Sequence, residues 1–324
     1  MTWPRLKPLV VGAATFLPGM ARLCYAGSRT GGGRSADYCY AIWMRHLLAA
    51  HGCAGLSCVP SVVAEFGPGA SLGVGLAALL SGAERYYALD VRRFADTEAD
   101  LAVFDGLVAL FVNRAPLPSD PQGQILQPPP VGSIFTSGLL NEEWMQRCLA
   151  EDRVARLRDG LRNAATGRDA GPIRYFVPWT DESLSAPRLC DFIFSQAVME
   201  HVDDVPAAYR CMASWLRPGG LTTHAIDYRS HGITPAWNGH WACPDALWAL
   251  VKGRRPFLIN RVSHSGHREG LQRAGFAIVH EESTGGGEVP HIRPAGRFRG
   301  LPPDDFRLRA GFFVARRPAE GGSA

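Results

Sequence analysis

Apolar and polar positions along this 324-residue chain change period several times, and each change marks an element. "SADYCYAIWMRHLLAAHG" sets Tyr38, Ile42, Met44, Leu47 and Leu48 near helical spacing, with Gly52 as the expected stop. From Ser61 the pattern turns to a short apolar strand that ends in Glu65 and Phe66. A glycine turn follows, then the apolar stretch "SLGVGLAALLSGA", read as a buried helix closed by Gly82. "RYYALDV" is a second strand that ends at Asp90. Strand, turn, helix and strand in that order are the unit of a parallel α/β sheet.

The alternation then stops. Residues from about 92 to 171 hold two helical stretches, "TEADLAVFDGLVALFVNRA" and "NEEWMQRCLAEDRVARLRDGLRNAA", around the Pro-rich "SDPQGQILQPPPVG". This reads as an inserted helical cap, because loops that long inside a domain are usually functional. The α/β pattern resumes with "IRYFVPW" and "CDFIFSQ", the helix "DVPAAYRCMASWL", a stop at "RPGG" and the strand "LTTHAID". A helix, "HREGLQRAG", and the strands "FAIVHEE" and "RLRAGFFVARR" close the chain.

Composition narrows the function. Hydrophobic residues at 46% and charged residues at 20% are ordinary for a globular protein. A net charge of +4 supplies no strong basic stripe, so no nucleic-acid partner is expected. Eight cysteines are scattered without a CxxC pair, which reads as reduced thiols in a cytoplasmic protein. At the N-terminus, Arg5 and Lys7 precede an apolar run as in a signal peptide, but Pro18 and Gly19 interrupt it, so export is not expected. No run reaches the ~20 apolar residues of a membrane span.

The glycine turn is the first candidate for chemistry. "EFGPGASLG" carries Gly67, Gly69 and Gly73, with Glu65 two residues before the first. Glycine permits positive φ and close backbone approach, and the amides that open the next helix favour a polar ligand. The spacing differs from the GxGxxG of dinucleotide sites, and the GK[ST] of a P-loop is absent. A tight turn with nothing bound would also use these residues.

The stretch resembles motif I, acid-x-G-x-G, of the class I S-adenosylmethionine-dependent methyltransferases. The resemblance extends to Asp90, where that family has an acid for the ribose hydroxyls. It extends also to "SQAVMEHVDDVPAAYRCMASWLRPGGLTTHAID", similar to the fourth strand, helix, PGG turn and fifth strand of the small-molecule branch. It covers about 61–91 and 173–227. It implies a Rossmann-like α/β fold, a mostly parallel seven-stranded sheet with helices on both faces. Residues 1–58 would form an N-terminal helical lid, and 59–324 the methyltransferase domain with the cap inside it. It implies S-adenosyl-L-methionine as cofactor, with Glu65, Gly67, Gly69 and Ser71 at its methionine end and Asp90 at the ribose. Asp181 would meet the adenine amine, Trp179 would flank the ring, and Ser195 and Gln196 would line the cleft.

The acceptor is expected to be a small molecule or a carbohydrate-like group, methylated on oxygen, with nitrogen as the alternative. A base would ease loss of its proton, and it should sit at the carboxyl ends of the strands. His201, Asp227 and His231 meet that condition. An acid beside a histidine can fix its tautomer. Asp227, His231 and His240 are also metal-capable, but their spacing matches no metal motif, and no metal site is assigned. Trp237 and Trp241 lie in loop-like sequence and are candidates to stack on an acceptor, Arg261 to hold an anionic group; Trp248 reads as core. Two other readings fit the same residues: a cofactor-fold protein that binds without turnover, and a nicotinamide-dependent oxidoreductase.

Overall fold

The computed structural model describes residues 4–22, 35–117, 138–165, 171–180, 183, 189–285 and 288–319. Seven strands form one sheet in the order β3-β2-β1-β4-β5-β7-β6. They are β1 Val62–Phe66, β2 Arg85–Leu89, β3 Ile173–Phe176, β4 Cys190–Gln196, β5 Leu216–Asp227, β6 Ala277–Gly285 and β7 Leu308–Arg316. The pairs among β1 to β5 are parallel, and β7 runs antiparallel between β5 and β6. The chain reverses its direction of winding between β1 and β4. In open α/β sheets a ligand crevice forms at such a point, outside the carboxyl ends of the strands.

Helices cover both faces. On one lie α2 (Ala36–Ala54), α3 (Gly73–Ser81) and α4 (Thr97–Val112), whose apolar residues share a core with Val63, Tyr86, Phe192 and Phe194. On the other, α7 (Val205–Trp215) and α9 (His264–Arg273) enclose Phe66, Ile193, Tyr209 and Phe313. Between α4 and β3 come α5 (Glu142–Cys148) and α6 (Glu151–Ala165), and α8 (Asp245–Lys252) packs against α1 (Leu6–Ala14). No described helix is long and apolar enough to cross a membrane.

Several boundaries differ from the sequence reading. Gly52 does not end α2. Ser35 caps its start by accepting from Tyr38 N–H, and Gly55, at φ 65°, closes it two residues past Gly52's neighbour Cys53. The long charged stretch from Asn141 divides into α5 and α6 at Leu149 and Ala150. β5 starts at Leu216 rather than after the glycines, and passes "RPGG" through an irregular register opposite Cys190 and Phe192. The largest difference concerns α2, inside the segment expected as a lid. Tyr40, Ile42, Trp43, Met44 and Leu47 are wholly buried, so this helix is part of the core. α4 likewise packs beside α2 and α3. The Pro-rich loop expected in the cap lies within 118–137, outside the described residues.

Candidate active site

The glycine turn leaves β1 at its carboxyl end. Gly67 and Gly69 both take positive φ, 74° and 67°. Gly67 is required twice over, since a Cβ there would lie 2.6 Å from both γ-carbons of Val198. Gly67→Ala is therefore expected to destabilise the protein by about 1–3 kcal/mol, as overpacking does. Urea unfolding of Gly67→Ala with and without Val198→Ala checks this: the second change should recover part of the loss.

Asp90 follows β2 and ties the turn down. Its Oδ2 accepts from Gly69 N–H at 3.0 Å, and its Oδ1 from Val91 N–H at 2.7 Å. The Arg92 backbone hydrogen-bonds the carboxylate as well. Burial raises its pKa, against the pull of those amides. Glu65 points to the face of α3, where its Oε2 accepts from Tyr86 O–H at 2.5 Å. Burial pushes its carboxyl up to about 8, the Tyr86 bond opposing.

That shift has a consequence for stability. The folded state holds the Glu65 proton up to about 8, whereas the unfolded carboxyl releases it near 4.5. The folded state thus binds more protons in between, and stability from this group falls as pH rises through that window. Relative to Glu65→Gln, the wild type should lose unfolding free energy between pH 5 and pH 8, as the carboxyl titrates over the interval from 4.5 to about 8. A constant difference between the two proteins would contradict it.

Two expected contacts are committed elsewhere. Ser71 Oγ donates to Asp100 Oδ1 at 2.5 Å, and Asp100 also accepts from Leu72 N–H at 3.1 Å. The pair fixes the start of α3 rather than presenting a free hydroxyl. Ser195 is fully buried and bonds His224 Nδ1 at 2.8 Å, on the face of α7. Gln196, at the end of β4, points to the other face, where its Oε1 meets Arg45 Nη1 at 3.4 Å. Arg45 itself is buried over the Phe312 ring, and its Nη2 has no partner among the described residues. Trp179 rests on Phe66, ring centroids 4.7 Å apart, and its backbone N–H donates to the Asp90 backbone O at 2.9 Å. Asp181 lies outside the described residues.

The second group of residues gathers at the ends of β4 and β5. A turn of 3₁₀ helix, Met199–His201, follows β4. Asn260 clamps it: its Nδ2 donates to Met199 O and Val202 O, at 2.7 and 2.8 Å, and its N–H to Glu200 O at 2.7 Å. His201 Nδ1 lies 2.8 Å from Phe257 O. A carbonyl only accepts, so Nδ1 carries the proton and Nε2 keeps its lone pair. Burial, and then His231, lower the His201 pKa to about 4.

Asp227 closes β5. Its two oxygens accept from the Arg229 guanidinium, and Oδ2 lies 3.3 Å from His231 Nε2. Burial opposes ionisation of Asp227, but the hydrogen bonds from His231 and Arg229 win and hold its carboxyl well below the usual range. His231 takes φ 48° and is about one-third exposed, its ring 5.1 Å from that of His201. With Nε2–H on Asp227, Nδ1 is left to receive a proton. His201, Asp227 and His231 are thus brought together. His240 is not a member of that set: it is buried against Trp241, ring centroids 4.5 Å apart.

The aromatic and basic loop is mostly structural. Trp241 is buried against Phe298 and Phe306 and cannot stack on an acceptor. Arg261 is buried between Trp248 and Phe298, with its guanidinium on His240 O, Cys243 O and Asp245. Trp237 remains partly exposed, with Arg309 over its ring.

Residues 138–281, from before α5 to within β6, match the family model described as a methyltransferase domain. That match takes in β3, β4 and β5 with His201, Asp227 and His231, and leaves β1, the glycine turn and Asp90 outside it. Over that segment the chain is similar to methyltransferase domains. Solved structures similar to it include an S-adenosylmethionine-dependent methyltransferase from Mesorhizobium loti, 18% identical over 81% of this chain and 92% of that one, TM-score 0.40. Another, from Methanosarcina mazei, is 13% identical over 81% of this chain and 94% of that one, TM-score 0.40. Phosphoethanolamine N-methyltransferase 2 of Haemonchus contortus, in complex with S-adenosyl-L-methionine, is 13% identical over 90% of this chain and 58% of that one, TM-score 0.42. No curated protein gives a significant sequence match.

Sequence reasoning missed Glu200, Arg45 and Asn260. Glu200 stood in view, inside "MEHV", but only His201 beside it was singled out. The signal for Arg45 was a cation within the apolar run from Ala41 to Ala50, between Met44 and His46.

Proposed function

We propose that the protein methylates an oxygen of a small-molecule or carbohydrate-like acceptor, with S-adenosylmethionine as donor. The observation that carries this reading is the Asp90 carboxylate, whose two oxygens stand at the tip of β2 with Oδ2 on Gly69 N–H of the glycine turn. A vicinal diol offers two donors at that spacing, and a ribose is such a group. Bound there, S-adenosylmethionine supplies an electrophilic methyl carbon, which the acceptor oxygen attacks as the carbon–sulfur bond breaks.

The chain's own residues would divide the work. Gly67 and Gly69 allow close approach of the methionine end, and Glu65 lies beneath them. The acceptor would enter beside His201, Asp227 and His231. His231, oriented by Asp227, takes the acceptor proton on Nδ1, and His201 borders the same space. A positioned base of this kind contributes about 10²–10⁴-fold, on top of positioning itself.

The test is a screen of a metabolite extract with radiolabelled methyl donor, paired with calorimetry of S-adenosylhomocysteine and of NAD. Labelled product supports the reading. Tight S-adenosylhomocysteine binding without product would point to the inactive binding protein. NAD bound in its place would point to the oxidoreductase.

A further inference from the structure

Glu200 is an anomaly that methyl transfer, as proposed above, does not use. It is 3% exposed, yet neither Oε1 nor Oε2 has a hydrogen-bond partner among the described residues. The backbone of Glu200 and Asp227 and the charge of Arg229 favour its ionised form against burial, but the Arg229 guanidinium is engaged by Asp227. A buried carboxyl with both oxygens unmatched is costly unless something outside the chain completes it.

Two histidines face the same gap. Glu200, His201 and His231 each offer one ligand atom, and these atoms all lie within 4.8 Å of one another. His201 is preset as a ligand, because its Nδ1–H is fixed on Phe257 O and Nε2 is left free. His231 is backed by Asp227 in the same way, its Nε2 3.3 Å from the carboxylate. A carboxylate or carbonyl behind each ligating imidazole is the usual support of a metal site, since it sets the tautomer and raises ligand basicity.

We propose that Glu200, His201 and His231 bind one divalent transition cation of the zinc class. Two imidazole nitrogens and one carboxylate suit zinc and its neighbours rather than magnesium or calcium, which prefer oxygen. Bonds of about 2.0–2.1 Å place ligand atoms about 3.0–3.4 Å apart, so a modest closing of the gap is needed. The His231 side chain is about one-third exposed, and Asn260 holds the other two residues in place. Three protein ligands would leave a coordination position for an acceptor hydroxyl. A cation there lowers the pKa of a bound hydroxyl, which eases the same proton loss without using the His231 lone pair as a base.

The experiment uses full-length, reduced, chelator-washed protein titrated with Co²⁺ alone, read by absorption and by calorimetry. The expected result is one equivalent per chain, with ligand-field bands and no thiolate charge-transfer band, which separates this site from the exposed Cys53 and Cys58. Glu200→Gln and His231→Ala should each weaken binding by more than the roughly 10–100-fold typical of an outer-shell change. Circular dichroism of both variants, the first near-isosteric and the second at an exposed side chain, controls for folding. No stoichiometric binding, a thiolate band, or affinity unchanged in both variants would overturn the proposal. S-Adenosylhomocysteine binding to the metal-free protein is measured separately, so failure of the metal site is distinguishable from failure of the cofactor reading.

Discussion

Replacing Asp90 with alanine is expected to weaken S-adenosylhomocysteine binding by about 100-fold or more. A hydrogen bond to a charged group contributes about 1.5–3 kcal/mol, and two ribose hydroxyls would lose their acceptor together. The change also releases Gly69 N–H, which loses its acceptor, so the turn itself slackens. Asp90→Asn separates the two effects. It keeps one carbonyl oxygen for the ribose or the turn and removes the charge, so its loss should be intermediate. Calorimetry of the three proteins, with unfolding curves to confirm folding, checks the order. Equal affinity in wild type and Asp90→Ala would refute the ribose role.

His231→Ala is expected to lower turnover by about 10²–10⁴-fold, the usual contribution of a positioned base. Cofactor affinity should not move, because His231 lies at the end of β5 and the glycine turn leaves β1. Stability should change little: the side chain is partly exposed and its main partner, Asp227, keeps the Arg229 guanidinium. Single-turnover rates with saturating donor measure the first quantity, and S-adenosylhomocysteine titration the second. The decrease is expected whether the lone pair takes a proton or binds a cation. Comparing chelated with cobalt-loaded wild type tells these uses apart: a base works in both, a ligand only when loaded. Wild-type turnover in the variant would remove His231 from either role.

Much of this architecture could be read from local pattern. The strands at β1, β2, β4 and β5, the helix closed at Gly82, and the acid at the tip of β2 are each set by residues close in sequence. Helix stops were less legible, because Gly52 and Gly55 differ only in which one adopts the left-handed conformation that caps α2. Side-chain commitments were hidden for a different reason. Ser71 is claimed by Asp100, 29 residues on, and Ser195 by His224, again 29 residues on. Gln196 meets Arg45 across 151 residues. Such partners follow from strand order and helix packing, which no short window encodes. Glu200 is the sharpest case. Its burial is a property of the loop around Asn260 folding back over it, so the carboxylate next to His201 read as an ordinary polar residue.

The central claim is that the crevice between β1, β2 and β4 holds a sulfonium nucleoside by its sugar. A crystal structure of the protein grown with S-adenosylhomocysteine tests it most directly. The account predicts density for the nucleoside beside Gly67 and Gly69, with both ribose hydroxyls on the Asp90 carboxylate. Density at another site, or a crevice left empty at saturating ligand, would contradict it.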